Sequence, residues 1–135
     1  MSFKKILGIV IVGLTIITVG GLLIVYSFTD IKLSDVDGNG ELVETIKSPE
    51  KNYQADTYVI YGNTSEQDQV RVSVTDTKNK EQFNDTTVYW LYPKGEGLPN
   101  VKWSSEEELQ IDDQKIDIMD KKTYYNYRKD KDLAR

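Results

Sequence analysis

The chain has 135 residues, with 17 Lys and Arg against 22 Asp and Glu, no histidine and no cysteine. That length leaves room for one domain. The missing His and Cys remove the commonest general base, metal ligand and thiol nucleophile, so enzyme chemistry has little to work with, and without cysteine neither a disulfide nor a lipid on a processed N-terminal Cys is available.

The first element is apolar. From Ile6 to Thr29 the sequence "ILGIVIVGLTIITVGGLLIVYSFT" holds no charge, and at about 1.5 Å rise per residue it covers a hydrocarbon core of roughly 30 Å. It reads as a transmembrane helix over 6–29. A cleaved signal peptide is the rival, but the run exceeds the usual h-region of about 7 to 15 residues, and no small-residue cleavage pair stands in "LLIVYSFTD". Gly8, Gly13, Gly20 and Gly21 give no Gly-xxx-Gly dimer spacing. Lys4 and Lys5 precede the run, so residues 1–5 are expected in the cytoplasm and the rest outside, as a single-pass cell-membrane protein. Past the helix, 15 basic residues face 22 acidic ones, a formal charge of −7. Such a balance argues against nucleic acid or anionic lipid as a partner of the outer part, since both need a basic surface.

Residues 30–40, "DIKLSDVDGNG", read as a stem of scattered charge and glycine. Strand patterns follow over 41–128. "QADTYVIYG" and "DQVRVSVTD" alternate, the second placing Val70, Val72 and Val74 on one face and Arg71, Ser73 and Thr75 on the other. "TTVYWLYP" is an aromatic, β-branched strand closed by Pro93. Apolar pairs at Val101 and Trp103, Leu109 and Ile111, and Ile116 and Ile118 mark further short strands, and "SSEEEL" reads as a turn. The connections are short and polar, with no room for crossover helices. The expected fold is mainly β, an N-terminal transmembrane helix plus a small antiparallel β-meander, with 129–135 a frayed tail.

The order "GEL" (Gly40–Leu42), "SPEKNY" (Ser48–Tyr53), "VYWLYP" (Val88–Pro93), "NVKW" (Asn100–Trp103) and "LQIDDQKIDI" (Leu109–Ile118) resembles the bacterial family catalogued as domain of unknown function 5412. The resemblance covers Gly40 to Arg128 and implies a membrane-anchored envelope protein, with no activity attached. Two turns depart from the family pattern. Glu50-Lys51-Asn52 stands where Asp-Gly-Lys is usual, and Asp112-Asp113-Gln114 stands where an Asn-Gly turn is usual, so a different turn geometry is expected at both.

Candidate sites are few. "DVDGNGELVETI" begins like a calcium loop, with Asp35, Asp37, Asn39 and Gly40 in place, but Val43 and Ile46 stand at positions 9 and 12, where a lateral ligand and the bidentate carboxylate belong. The reading is a solvated acidic turn, with a calcium-responsive domain through Asp35, Asp37 and Asn39 as the alternative function. Glu106, Glu107 and Glu108 are read as a charged turn rather than a glycosidase-like pair. Asn63-Thr64-Ser65 and Asn84-Asp85-Thr86 match the glycosylation triplet and are taken as turns. Trp90 and Trp103 with Tyr89, Tyr92, Tyr124, Tyr125 and Tyr127 either fill and rim a core or supply a partner-binding face. No catalytic, cofactor-binding or metal-ligating residue is assigned, and no cofactor. The expected function is a non-catalytic, membrane-anchored envelope protein: the helix meets membrane lipid, and the outer domain binds a protein or cell-wall partner.

Overall fold

The computed structural model describes residues 2–29 and 32–130, and of residues 20–29 the helical backbone alone. The chain divides into two compact units, residues 1–31 and 32–135. The first is a single helix, α1 (Phe3–Thr29). Among the described residues no helix is long and apolar enough to cross a membrane. The described side chains of α1 run from Phe3 to Val19, a rise of about 25 Å against a core of roughly 30 Å.

The second unit is built from eight strands: β1 (Glu41–Lys47), β2 (Tyr53–Ile60), β3 (Gln69–Asp76), β4 (Thr86–Leu91), β5 (Val101–Trp103), β6 (Glu108–Ile111), β7 (Gln114–Asp117) and β8 (Tyr125–Asn126). Every strand expected from alternation is present. They form a five-stranded sheet in the order β1-β2-β3-β4-β8 and a three-stranded sheet, β5-β6-β7. Both are antiparallel meanders, with one addition: β8 lies parallel to β4, pairing Tyr89 with Tyr125 and Trp90 with Asn126. A two-residue strand has no period to betray it, and its pairing depends on the chain returning to the first sheet after completing the second.

The register explains the core. Val72 of β3 stands opposite Thr57 and Tyr89, and Val74 opposite Ala55, so β3 and its neighbours present one apolar face. That face shares a single buried cluster with Val101, Leu109, Ile111, Ile116 and Ile118 of the small sheet and its end. Phe83, from the β3–β4 loop, closes the cluster edge-on to Tyr53 at 5.7 Å. The opposite face of β3 is buried too, although it carries Arg71, Ser73 and Thr75. A meander with one solvated face would leave them in water. Here the residues expected as a stem cover them: a 3-10 turn (Leu33–Val36) buries Val36, Thr87 N donates to Asp37 at 3.0 Å, and Gly38 N donates to Asp85 at 2.7 Å. The domain thus starts near Lys32 rather than Glu41.

At each of the two turns that depart from the family pattern, one non-glycine residue has left-handed geometry. Lys51 has φ 64° and Asp112 has φ 49°. Ser48 O accepts from Lys51 N, and the Glu106 carboxylate gathers Ser48 Oγ, Glu50 N and Asn52 N over the same turn. Asp112 exchanges bonds with Asn100 through N–H and Oδ1. The surrounding bonds therefore hold a backbone conformation that an L side chain disfavours by about 1–2 kcal/mol. Lys51→Gly is expected to stabilise the domain by about 0.5–1 kcal/mol, after the extra entropy of glycine in the unfolded chain is subtracted. Thermal unfolding checks it: the midpoint should rise by a few degrees in Lys51→Gly and not in Lys51→Ala, which keeps the strained Cβ.

Candidate functional site

A hollow of ligand size lies on the polar side of the large sheet. It encloses about 460 Å³. Its floor is the start of β4 at Thr86 and Thr87 and the buried Asn126 of β8. One wall is Lys32 to Ser34, leading into the 3-10 turn; the other is a second 3-10 turn (Lys121–Thr123) together with Tyr124.

Local chemistry fixes both walls. Asp35 accepts from Lys32 N at 2.9 Å, which closes the first turn. In the second, Asp120 caps by accepting from Lys122 N at 3.0 Å, and Thr123 Oγ1 both accepts from Asp117 N and donates toward the Asp120 carbonyl. With their backbones so pinned, Lys121 and Lys122 send exposed side chains to the rim. Lys129 adds a fourth ammonium from the short helix α2 (Tyr127–Asp130). Two carboxylates also line the space. Asp37 holds Thr87 N, and Asp130 accepts from Asn126 N at 2.9 Å. Among the described residues Lys32, Lys121 and Lys122 form no ion pair. The Tyr124 hydroxyl donates to Ile118 O at 2.6 Å; burial, with Asp117 and Asp120 nearby, raises its pKa, so it stays neutral.

Beside this hollow lies a smaller one of about 290 Å³, which shares Lys122, Tyr124 and Asp130 and adds Lys115. A lysine-rimmed concavity in a domain of net negative charge is invisible to a charge sum. Lys32 and the Lys121–Lys122 pair are far apart in sequence and meet only because β8 returns beside β4.

The residues singled out in the sequence fall elsewhere. Asp35 and Asp37 have carboxylate oxygens bonded to backbone amides, and Asn39 gives its carbonyl to Arg71 Nε at 2.6 Å. The Asp37 and Asn39 contacts dock the segment on the sheet, while Asp35 stays exposed with a local bond. Among the described residues no three carboxylate, His or Cys side chains converge as a metal site. Glu106 is turned to the Ser48–Asn52 turn, where burial is outweighed by the bonds from Ser48, Glu50 and Asn52, and its pKa is lowered. Glu107 gives its carbonyl to Ile118 N, and Glu108 begins β6. The aromatics divide: Trp90, Tyr89 and Tyr125 are buried, while Trp103, Tyr92, Tyr124 and Tyr127 are partly so.

Beneath the polar face lies Arg71, wholly buried. Its guanidinium is bidentate to Asp85, at 2.8 and 3.0 Å, reaches Thr87 Oγ1 at 3.2 Å, and lies 4.0 Å over the Tyr58 ring. Burial would raise the Asp85 pKa, but the Arg71 bonds, the Ser73 hydroxyl, the Arg71 charge and the Gly38 amide together lower it. The Ser73 hydroxyl itself is buried without a hydrogen-bond partner among the described residues. Arg71 and Asp85 position the floor and the 32–40 wall.

The architecture defines a class: a small two-sheet β domain following an apolar helix, with a cationic hollow on its surface. Within that class the chain belongs to the family of unknown function DUF5412, whose model matches residues 3–130. No curated protein and no solved structure matches the chain.

Proposed function

We propose that the protein is a non-catalytic, single-pass envelope protein, held in the cell membrane by α1 with Lys4 and Lys5 on the cytoplasmic side and the β domain outside. The observation that carries this reading is the surface of α1. Ile9, Val10, Ile11 and Val12 are consecutive, so they point to all sides of the helix, and they are 50–63% exposed. Ile6, Leu7, Leu14, Ile16 and Ile17 are exposed as well. A helix apolar on every side is at home only inside a protein core or a bilayer, and at about 25 cal/mol per Å² such a surface is strongly disfavoured in water. The charge-free run continues in sequence to Thr29, which brings its length to that of a span.

The outer domain is read as a binding module. Its sheet faces are filled by its own residues, its carboxylates of lowered pKa are engaged in the fold, and the hollow's two carboxylates, Asp37 and Asp130, each already accept from a backbone amide. A calcium-responsive reading has less support, because Asp35 and Asp37 are already engaged by backbone amides. Protease treatment of intact protoplasts tests the anchored reading. The expected result is loss of the β domain with the helix retained in the membrane fraction; recovery of a trimmed, soluble protein in the medium would sink it.

A further inference from the structure

We propose that the hollow rimmed by Lys32, Lys121, Lys122 and Lys129 takes a phosphate-bearing anion, supplied as the head group of an anionic phospholipid of the membrane that anchors the chain. The proposal rests on the anchored reading above. Four ammonium groups line the hollow against two carboxylates, Asp37 and Asp130, each of which already accepts from a backbone amide. The lining thus holds more lysines than carboxylates, in a chain whose part past the helix sums to −7. Three of the four lysines have no ion pair among the described residues. Lysine without a carboxylate partner, beside the exposed Ser34 and the neutral ring of Tyr124, suits a phosphate diester with a short carbon stem, since ammonium groups bind phosphate as point charges.

Size and reach point to the same ligand. About 460 Å³ lies within the usual range of small-ligand sites and exceeds a single inorganic ion. Lys32 follows the last helical residue, Thr29, by three residues, and three residues of chain span at most about 11 Å. Lys32 is thus the rim lysine nearest in sequence to the apolar run. The neighbouring hollow, with Lys115 and the shared Lys122, extends the cationic surface.

The test uses the full chain in nanodiscs of phosphatidylcholine, with phosphatidylglycerol raised stepwise, and follows the amide resonances of Ser34, Thr87 and Lys122. The proposal expects saturable shifts that need about twentyfold more phosphatidylglycerol, or fail to saturate, in Lys121→Ala/Lys122→Ala, because each lysine at an anionic surface is worth about fivefold. Lys102→Ala, an exposed lysine of β5, should behave as the parent. Absence of shifts, or shifts equal in the double variant, would overturn the site. Glycerol phosphate added to pure phosphatidylcholine discs is the second arm: saturation there at equal or lower concentration would overturn the lipid source and leave a soluble phosphate compound. A chain that does not enter the discs would sink the anchored reading separately; the glycerol phosphate arm, run in solution, would then decide the hollow.

Discussion

Arg71→Met is expected to destabilise the outer domain by about 3–5 kcal/mol, the range for breaking a buried ion pair by removing one partner. Against a total of about 5–15 kcal/mol, that loss leaves a domain partly unfolded at moderate temperature. Arg71 has no solvent access, and its loss leaves Asp85 with the Gly38 amide alone and strips the Asn39 carbonyl and the face of the Tyr58 ring of their partner. The reverse deletion, Asp85→Ala, should cost at least as much. Asp85 is 27% exposed and regains some water when orphaned, whereas a stranded guanidinium at 0% exposure does not. Arg71→Met combined with Asp85→Ala should cost less than the sum of the singles; strict additivity in denaturant melts would refute the coupling. The pair also sets an acid limit. The folded Asp85 pKa lies below its ordinary value, so its contribution is complete above the unfolded carboxylate pKa of about 3.9 and is lost as pH falls through the lowered value. The parent should lose stability steeply below about pH 4, and Arg71→Met should lose this component of the slope. Because Gly38 N donates to Asp85, faster hydrogen exchange at Gly38 should accompany the change and show the 32–40 segment lifting from the sheet.

Most strands were legible because their physics is local. Val70, Val72 and Val74 alternate with polar residues, and β4 is β-branched and aromatic, so period and composition agree. What escaped was long-range. Arg71, Ser73 and Thr75 read as a solvent face because nothing in β3 says that residues 32–40 will lie on it. A single Arg amid neutral polar residues on a valine-rich strand was the available hint. The acidic, glycine-bearing "DVDGNG" suggested solvation, which holds for the exposed Asp35 and its local bond to Lys32 N, yet Asp37 accepts from the distant Thr87 amide, a use that leaves no periodic trace. The cationic hollow escaped for the same reason: a net charge averages over sequence, while the hollow gathers its lysines through the β4–β8 pairing. At the glycine-free turns, a non-glycine residue takes the left-handed conformation itself. Lys51 does so where the family pattern has glycine and Asp112 where it has asparagine, held there by Glu106 and Asn100.

Trp90→Ala is expected to cost about 3–5 kcal/mol, as for other buried aromatics, and Trp103→Ala clearly less. The sequence treats the two tryptophans alike; their surroundings differ. Trp90 is 4% exposed, sits opposite Arg71 in the register, donates from Nε1 to Gln69 at 2.8 Å, and meets the Tyr127 ring edge-on at 4.8 Å. Its removal would open a cavity beside a buried charge and leave Tyr127 with only the tilted Tyr92 ring at 5.6 Å and Arg128, at the point where β8 pairs with β4. Trp103 is only partly buried on the margin of the apolar cluster, where it donates to Ile46 O and stacks on Tyr53 at 6.5 Å. Its loss loosens the seam between the small sheet and β1, and water reaches part of the gap. Urea melts of the two variants check the order, and hydrogen exchange checks the place. In Trp90→Ala the amide of Asn126, which donates to Asp130, should exchange faster than in the parent. In Trp103→Ala it should not. Equal losses of stability, or an unaltered Asn126 amide in Trp90→Ala, would mean that β8 is held by something other than the Trp90–Tyr127 contact, and that the aromatic strand is not what secures one wall of the cationic hollow.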